Sequence, residues 1–186
     1  MQKSIYQLKI SLAGSRPLIW RRFLVSNDIT FKKLHSIIQV VMGWYDYHLY
    51  EFIIDGTSIT DPETIAESFD KDALDCETTK ICEFIKYEKQ KILYIYDFGD
   101  GWEHNITVEK ILSDNTELEH SICLDGKLSC PPEDCGGLGG YYYFLKAIRD
   151  KNHPKHKDML EWIGGEFDPN KFYLDIVNQD LKRIKI

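Results

Sequence analysis

The amino-acid sequence predicts an α+β protein, an antiparallel or mixed sheet built from hairpins and packed by helices. Three observations carry that expectation. Strand-like alternation and turn signals crowd the early part of the chain; one helical pattern appears among them, over about 31–42; several more gather towards the C-terminus. Strands early and helices late do not make the βαβ alternation of a doubly wound parallel sheet. A length of 186 residues suits a single domain, 1–186, that can bury a sizeable core without staples.

The elements follow in order. Tyr6, Leu8, Ile10 and Leu12 fall on one face and Gln7, Lys9 and Ser11 on the other, the period of a half-buried strand. Gly14 and Pro17 punctuate a turn, and 18–25 is strand-like again, so these two segments read as a hairpin. Thr30 can cap a helix along which Phe31, Leu34, Ile37, Ile38, Val41 and Met42 recur at helical spacing, with Gly43 placed to end it. His35 sits at the edge of that stripe and suits a packed histidine better than a ligand. Residues 48–55 alternate up to an Asp55-Gly56 turn. The acidic stretch 61–80 reads as a surface excursion with one helical turn, and 81–87 as a short strand. Segments 92–98 and 102–112 are the arms of a second hairpin, and 113–140 is irregular. Helices are expected over 141–150, 155–163 and 175–184, with a short turn at Asp168-Pro169.

Composition narrows the function classes. The net charge of −7 argues against non-specific nucleic-acid binding, which needs a cationic surface. Arg16, Arg21 and Arg22 are close enough in sequence for a local phosphate patch, though a solvated strand edge accounts for them as well. No window approaches the ~20 apolar residues of a membrane span, and the N-terminus has no signal-peptide pattern. The expectation is a cytoplasmic protein whose five cysteines are free thiols or metal ligands.

The sharpest local signal is Tyr-Asp-Phe-Gly-Asp-Gly-Trp-Glu-His, residues 96–104. Asp100-Gly101 suits a two-residue type I′ turn. That turn would set Asp97 opposite His104, on the face carrying Ile95, Ile106 and Val108. A carboxylate beside an imidazole can serve a general base or a metal-binding histidine, and can equally be a structural ion pair. A longer loop that included Gly99 would shift the register and remove the pairing.

A second signal is Cys-Pro-Pro-Glu-Asp-Cys-Gly-Gly-Leu-Gly-Gly, residues 130–140. Cys123, Cys130 and Cys135 are candidate ligands for zinc, with a fourth from Cys76, Cys82 or a histidine, but their spacing is not the paired type and ordinary thiols fit too. Glu133 and Asp134, in a loop stiffened by Pro131-Pro132, could bind a divalent cation, supply acid or base groups, or cap the helix that follows. The glycines lack the Lys-Ser/Thr of a P-loop and the spacing of a dinucleotide fingerprint.

Five segments together resemble the plasmid pRiA4b ORF-3-like family in order and spacing. They are LAGSRPLIWRRFLV, FKKLHSIIQVVMGWYDYHLYEF, YIYDFGDGWEHNITVE, CLDGKLSCPPEDCGGLGGYYYFL and EFDPNKFYLDIVNQDL, and they cover nearly the whole chain. The resemblance implies an α+β fold and a motif set comprising Trp20, Arg21, Arg22, His35, Trp44, His48, Asp97, Asp100, Trp102, His104, Glu133 and Asp134. It also implies association with plasmids and mobile elements, but no established enzymatic activity. Some insertion-sequence members carry a resolvase label by context; no serine-recombinase motif is evident here, so that label does not carry over.

Two function classes follow as expectations. The first is a binding or accessory protein with a His/Asp/Glu-lined cleft. It would take a protein, peptide or small molecule, with Arg21, Arg22, Trp44 and Trp102 as candidate ligand-binding residues. The second is a metal-dependent hydrolase using His48, His104, Asp97 and Glu133, with Asp100 and Asp134 as further catalytic candidates and zinc or another divalent metal as cofactor. No compact metal motif such as HExxH supports the second.

Overall fold

The computed structural model describes residues 4–67, 72–112 and 118–184. Parts of the acidic excursion and of the irregular segment, 68–71 and 113–117, lie outside the described residues.

The elements run β1 (Ile5–Leu12), β2 (Trp20–Ser26), α1 (Phe31–Met42), β3 (Tyr50–Ile54), β4 (Thr57–Thr60), α2 (Pro62–Glu67), β5 (Leu74–Asp75), a 3-10 turn (Ile81–Glu83), β6 (Lys91–Tyr96), β7 (Trp102–Leu112), β8 (Ile122–Lys127), α3 (Gly137–Arg149), α4 (His156–Trp162) and α5 (Leu174–Leu181). The strands make one sheet in the order β5-β4-β3-β6-β7-β1-β2-β8. Among the described residues only β4 and β5 pair in parallel. The fold is α+β with a mixed sheet. Among the described residues no helix is long and apolar enough to cross a membrane.

The alternation of β1 becomes burial: Leu8, Ile10 and Leu12 are inside, while Gln7, Lys9 and Ser11 are half-buried on the other face. Helix α1 lies on the inner face. Thr30 Oγ1 accepts from Lys33 N at its start, and Gly43 ends it in the left-handed region. Phe31 packs on Phe52 of β3 (ring centroids 5.2 Å apart), and the carbonyl of Val41 accepts from Arg21 of β2, so α1 spans the sheet from β3 to β2.

Four expectations are corrected. Residues 81–87 form a 3-10 turn and loop, not a strand. Part of 113–140 is the edge strand β8, held by pairing with β2, a partner about a hundred residues away in sequence. Helix α3 starts at Gly137, not Tyr141, so Gly-Leu-Gly-Gly is its first turn. The tight packing explains those glycines. A Cβ at Gly137 would meet Asp100 O at 2.6 Å, and one at Gly140 would meet Cys135 O at 1.7 Å.

The fourth correction is the hairpin register. Tyr96 faces Trp102, Ile95 faces Glu103 and Tyr94 faces His104, so Asp97 is not opposite His104 and Ile95 is not on its face. The turn is the longer one, 97–101. Asp97 adopts φ 56°, and its Oδ1 accepts from Gly99 N (2.9 Å) and Asp100 N (3.3 Å). This local side-chain capping outcompetes the two-residue turn.

Candidate functional site

Pairing of β3 with β6 and of β6 with β7 sets Tyr50, Tyr96 and Trp102 at one end of the sheet. The loop 44–48 and the turn 97–101 therefore emerge side by side, and the loop 131–137 lies across them. Trp44 Nε1 donates to Pro131 O (2.9 Å), and Gly136 N donates to Asp100 Oδ2 (3.0 Å).

Tyr96 is the hub of this end. Its buried hydroxyl accepts from Tyr47 N (3.0 Å) and donates to Glu133 Oε1 (2.5 Å). Glu133 Oε2 in turn accepts from Tyr45 N (3.0 Å). Burial and the adjacent Glu133 carboxylate hold the Tyr96 phenol protonated, well above its ordinary range. Tyr96→Phe is expected to cost about 2 kcal/mol in a urea melt, because it strips a charge-assisted hydrogen bond and orphans backbone N–H groups.

The acidic side chains thus divide into two kinds. Glu133 and Asp100 are occupied in tying loops together. Asp97 and Asp134 instead face His48. His48 Nε2 lies 3.0 Å from Asp134 Oδ1 and 3.7 Å from Asp97 Oδ2. It is shielded from solvent and meets neither carboxylate in hydrogen-bond geometry. Asp134, at φ 58°, keeps its side chain 65% exposed, whereas that of Asp97 is only 10% exposed.

His104 stands apart from this group. It is fully enclosed, Nδ1–H donates to Trp102 O (2.9 Å), and the ring meets Trp44 edge-on at 5.2 Å. Burial pushes its pKa down to about 4. The quartet His48, His104, Asp97 and Glu133 does not converge on one point, because His104 belongs to the core and Glu133 is engaged by Tyr96 and Tyr45.

The remaining candidates are also accounted for. Trp102 is buried, and Trp44 stacks on Tyr96 (4.9 Å), so both are core rings, although Trp44 also borders the groove described below. Arg21 and Arg22, adjacent in a strand, point to opposite faces and make no shared patch. Arg21 is buried and donates to the carbonyls of Trp20, Val41, Lys127 and Leu128; Arg22 makes a two-pronged ion pair with Glu109 (2.5 and 2.9 Å). His35 is packed, stacked on Tyr50 and bonded to Tyr94 and Asp46.

Cys123, Cys130 and Cys135 do not form a three-ligand group. Among the described residues the group that does is His48, Asp97 and Asp134. Burial pushes the thiols up, Cys123 to about 11 and Cys135 to about 12, so in the metal-free chain they are neutral thiols near neutral pH.

Next to the three loops lies an open groove of about 540 Å³. Tyr45 and Tyr47, each 74% exposed, line it from the first loop; Trp162, Tyr173 and Ile176, about half exposed, line it from α4, α5 and the segment between. Asp134 and Glu133 complete the rim. On the other side of Tyr47 is a polar cleft lined by His48, Asp46, Asp61 and Lys32. Tyr96 stands first in the 96–104 motif but was not singled out from it, and no sequence pattern distinguished Tyr45 and Tyr173 among the eleven tyrosines. The one local hint was the clustering of aromatics in 44–47 directly after a helix stop.

Fold and site together define an α+β protein with a mixed eight-stranded sheet and a histidine–carboxylate cluster where three loops meet at one sheet end. The chain belongs to the plasmid pRiA4b ORF-3-like family, whose model matches residues 4–176. It is 34% identical over 165 residues to the uncharacterized protein y4hQ of Sinorhizobium fredii (strain NBRC 101917 / NGR234), covering 88% of this chain and 83% of that one. The crystal structure of MM3350 from Methanosarcina mazei Go1, a protein of unknown function, superposes with a TM-score of 0.81 at 34% identity, covering 94% of this chain and 98% of that one.

Proposed function

We propose that this chain is a binding or accessory protein, of the kind that mobile DNA carries in part of the family, and that its ligand seats in the aromatic groove beside the three-loop junction. The observation that carries this reading is the set of large apolar side chains left exposed around one concavity. Contiguous exposed aromatics are what a soluble protein ordinarily buries unless a ligand or partner covers them. The groove has fixed walls on one side, because Tyr45 and Tyr47 are held through their backbone N–H groups by Glu133 and Tyr96. Such preorganisation lowers the cost of ordering side chains on binding. The ligand class is a small molecule, peptide or protein segment with an apolar face.

A screen of aromatic fragments by ligand-observed NMR tests the reading. Hits are expected whose signal transfer is lost, with affinity weaker by about tenfold or more, in a Tyr47→Ala/Tyr173→Ala variant that keeps the wild-type circular dichroism. Hits that bind this variant as well as the wild type would place the binding surface elsewhere. The hydrolase alternative is not favoured in its four-residue form, because His104 has no access to solvent.

A further inference from the structure

We infer that His48, Asp97 and Asp134 form a binding site for a first-row divalent cation such as Zn²⁺ or Mn²⁺, in which one imidazole nitrogen and two carboxylate oxygens hold the ion. The inference stands on geometry and does not depend on what occupies the groove.

One donor atom from each residue lies within 4.8 Å of the others. Donors held at about 2.1 Å from a common ion stand roughly 3–4 Å apart, set by the coordination angles. The separations of His48 Nε2 from Asp134 Oδ1 (3.0 Å) and from Asp97 Oδ2 (3.7 Å) fall in that range. The exposed Asp134 side chain can swing to close the third side.

The second observation is the state of His48 Nε2. It is out of reach of solvent and aimed between two carboxylates, yet it hydrogen-bonds to neither. A polar atom in that position is costly unless something satisfies it. A cation does so, because a neutral imidazole offers it a lone pair. The third observation is how Asp97 is held. Gly99 N and Asp100 N bind its Oδ1, leaving Oδ2 turned to His48, so this ligand is oriented by the turn itself. Two carboxylates neutralise a divalent ion, and the imidazole favours a transition ion over Mg²⁺ or Ca²⁺. Three protein ligands leave coordination positions open, and Asp134 borders the aromatic groove. A donor atom on a ligand in the groove could then complete the shell.

The test uses the full chain, stripped with chelator and titrated calorimetrically with Zn²⁺ and with Mn²⁺ alone. One ion per chain is expected. His48→Gln and Asp134→Asn should each weaken binding by about tenfold or more, with folding unchanged by circular dichroism. Asp97→Asn keeps the turn acceptor and should weaken it similarly. A Cys130→Ser/Cys135→Ser variant should bind as the wild type does. Substitution with Co²⁺ should give a visible spectrum free of thiolate charge-transfer bands. No saturable binding at millimolar metal would show His48–Asp134 to be an ion pair only and overturn the inference. So would binding that survives His48→Gln and Asp134→Asn but disappears in the cysteine variant. Neither result bears on fragment binding in the groove, so the two readings fail separately.

Discussion

Arg21→Met is expected to cost about 4 kcal/mol, read as a shift of the urea midpoint near neutral pH. The reason is the unusual way this charge is held. Arg21 is 2% exposed, and among the described residues its guanidinium hydrogen-bonds to no carboxylate; its donors go to four carbonyls. One is Val41 O in the last turn of α1, where unsatisfied carbonyls and the helix dipole favour a cation. Two more, Lys127 O and Leu128 O, follow the β8 edge, and the Phe172 ring covers the group at 4.1 Å. Gly126, paired with Arg21 across β2 and β8, makes room: a Cβ there would meet Phe172 at 2.6 Å. Methionine matches the stem but returns no donor, so several enclosed carbonyls lose their partner together. Arg21→Lys should recover part of the loss, since one ammonium cannot span the same fork. A midpoint for Arg21→Met within about 1 kcal/mol of wild type would show that these carbonyls find other donors. Because Arg21 also floors the groove, the same variant should loosen the wall against which α5 packs.

How much of this was legible depends on where each interaction closes. Helix α1 was readable to the residue because its stripe, its Thr30 cap and its Gly43 stop are all local. The β1–β2 hairpin was readable from alternation for the same reason. The register of the β6–β7 hairpin was misread. Asp100-Gly101 is a valid turn signal, but Asp97, three residues upstream, caps the chain into a longer loop. Strand β8 was invisible because a Cys-Leu-Asp-Gly stretch becomes a strand only against β2. The start of α3 was hidden by glycines that lower helix propensity and are there for close approach to Asp100 and Cys135. At the candidate site, His48, Asp97 and Asp134 were each named from their motifs. A His/Asp/Glu-lined cleft was expected, but which of its side chains meet was not readable, since that depends on the strand order β3-β6-β7 and on a loop crossing from β8. His104 looked like a site residue because one motif contains both it and Asp97; the pleat turns it into the core instead.

That enclosed histidine carries a pH dependence of predictable sign. His104 is neutral in the fold, with its pKa lowered from 6.5 to about 4, chiefly by burial. Above 6.5 neither the folded nor the unfolded form is protonated, and the histidine's full contribution is present. As pH falls below 6.5 the unfolded chain takes up a proton that the folded chain refuses, and stability declines until about 4, where the folded form protonates too. At about 1.4 kcal/mol per pH unit the whole descent is equivalent to about 3 kcal/mol. Burial lowers the His35 pKa as well, against the pull of Asp46, so it adds to the slope in the same direction. His104→Gln separates the two: it keeps an amide donor for Trp102 O and cannot titrate. Urea melts between pH 7 and pH 4 should show a wild-type slope steeper than that of the variant by up to one proton. Equal slopes would mean that the His104 ring is hydrated or protonated in the fold, and the core around Trp44, Tyr94 and Trp102 would then be open to water. A steeper wild-type slope keeps His104 out of any acid–base role near neutral pH and leaves His48 as the imidazole at the loop junction available for chemistry.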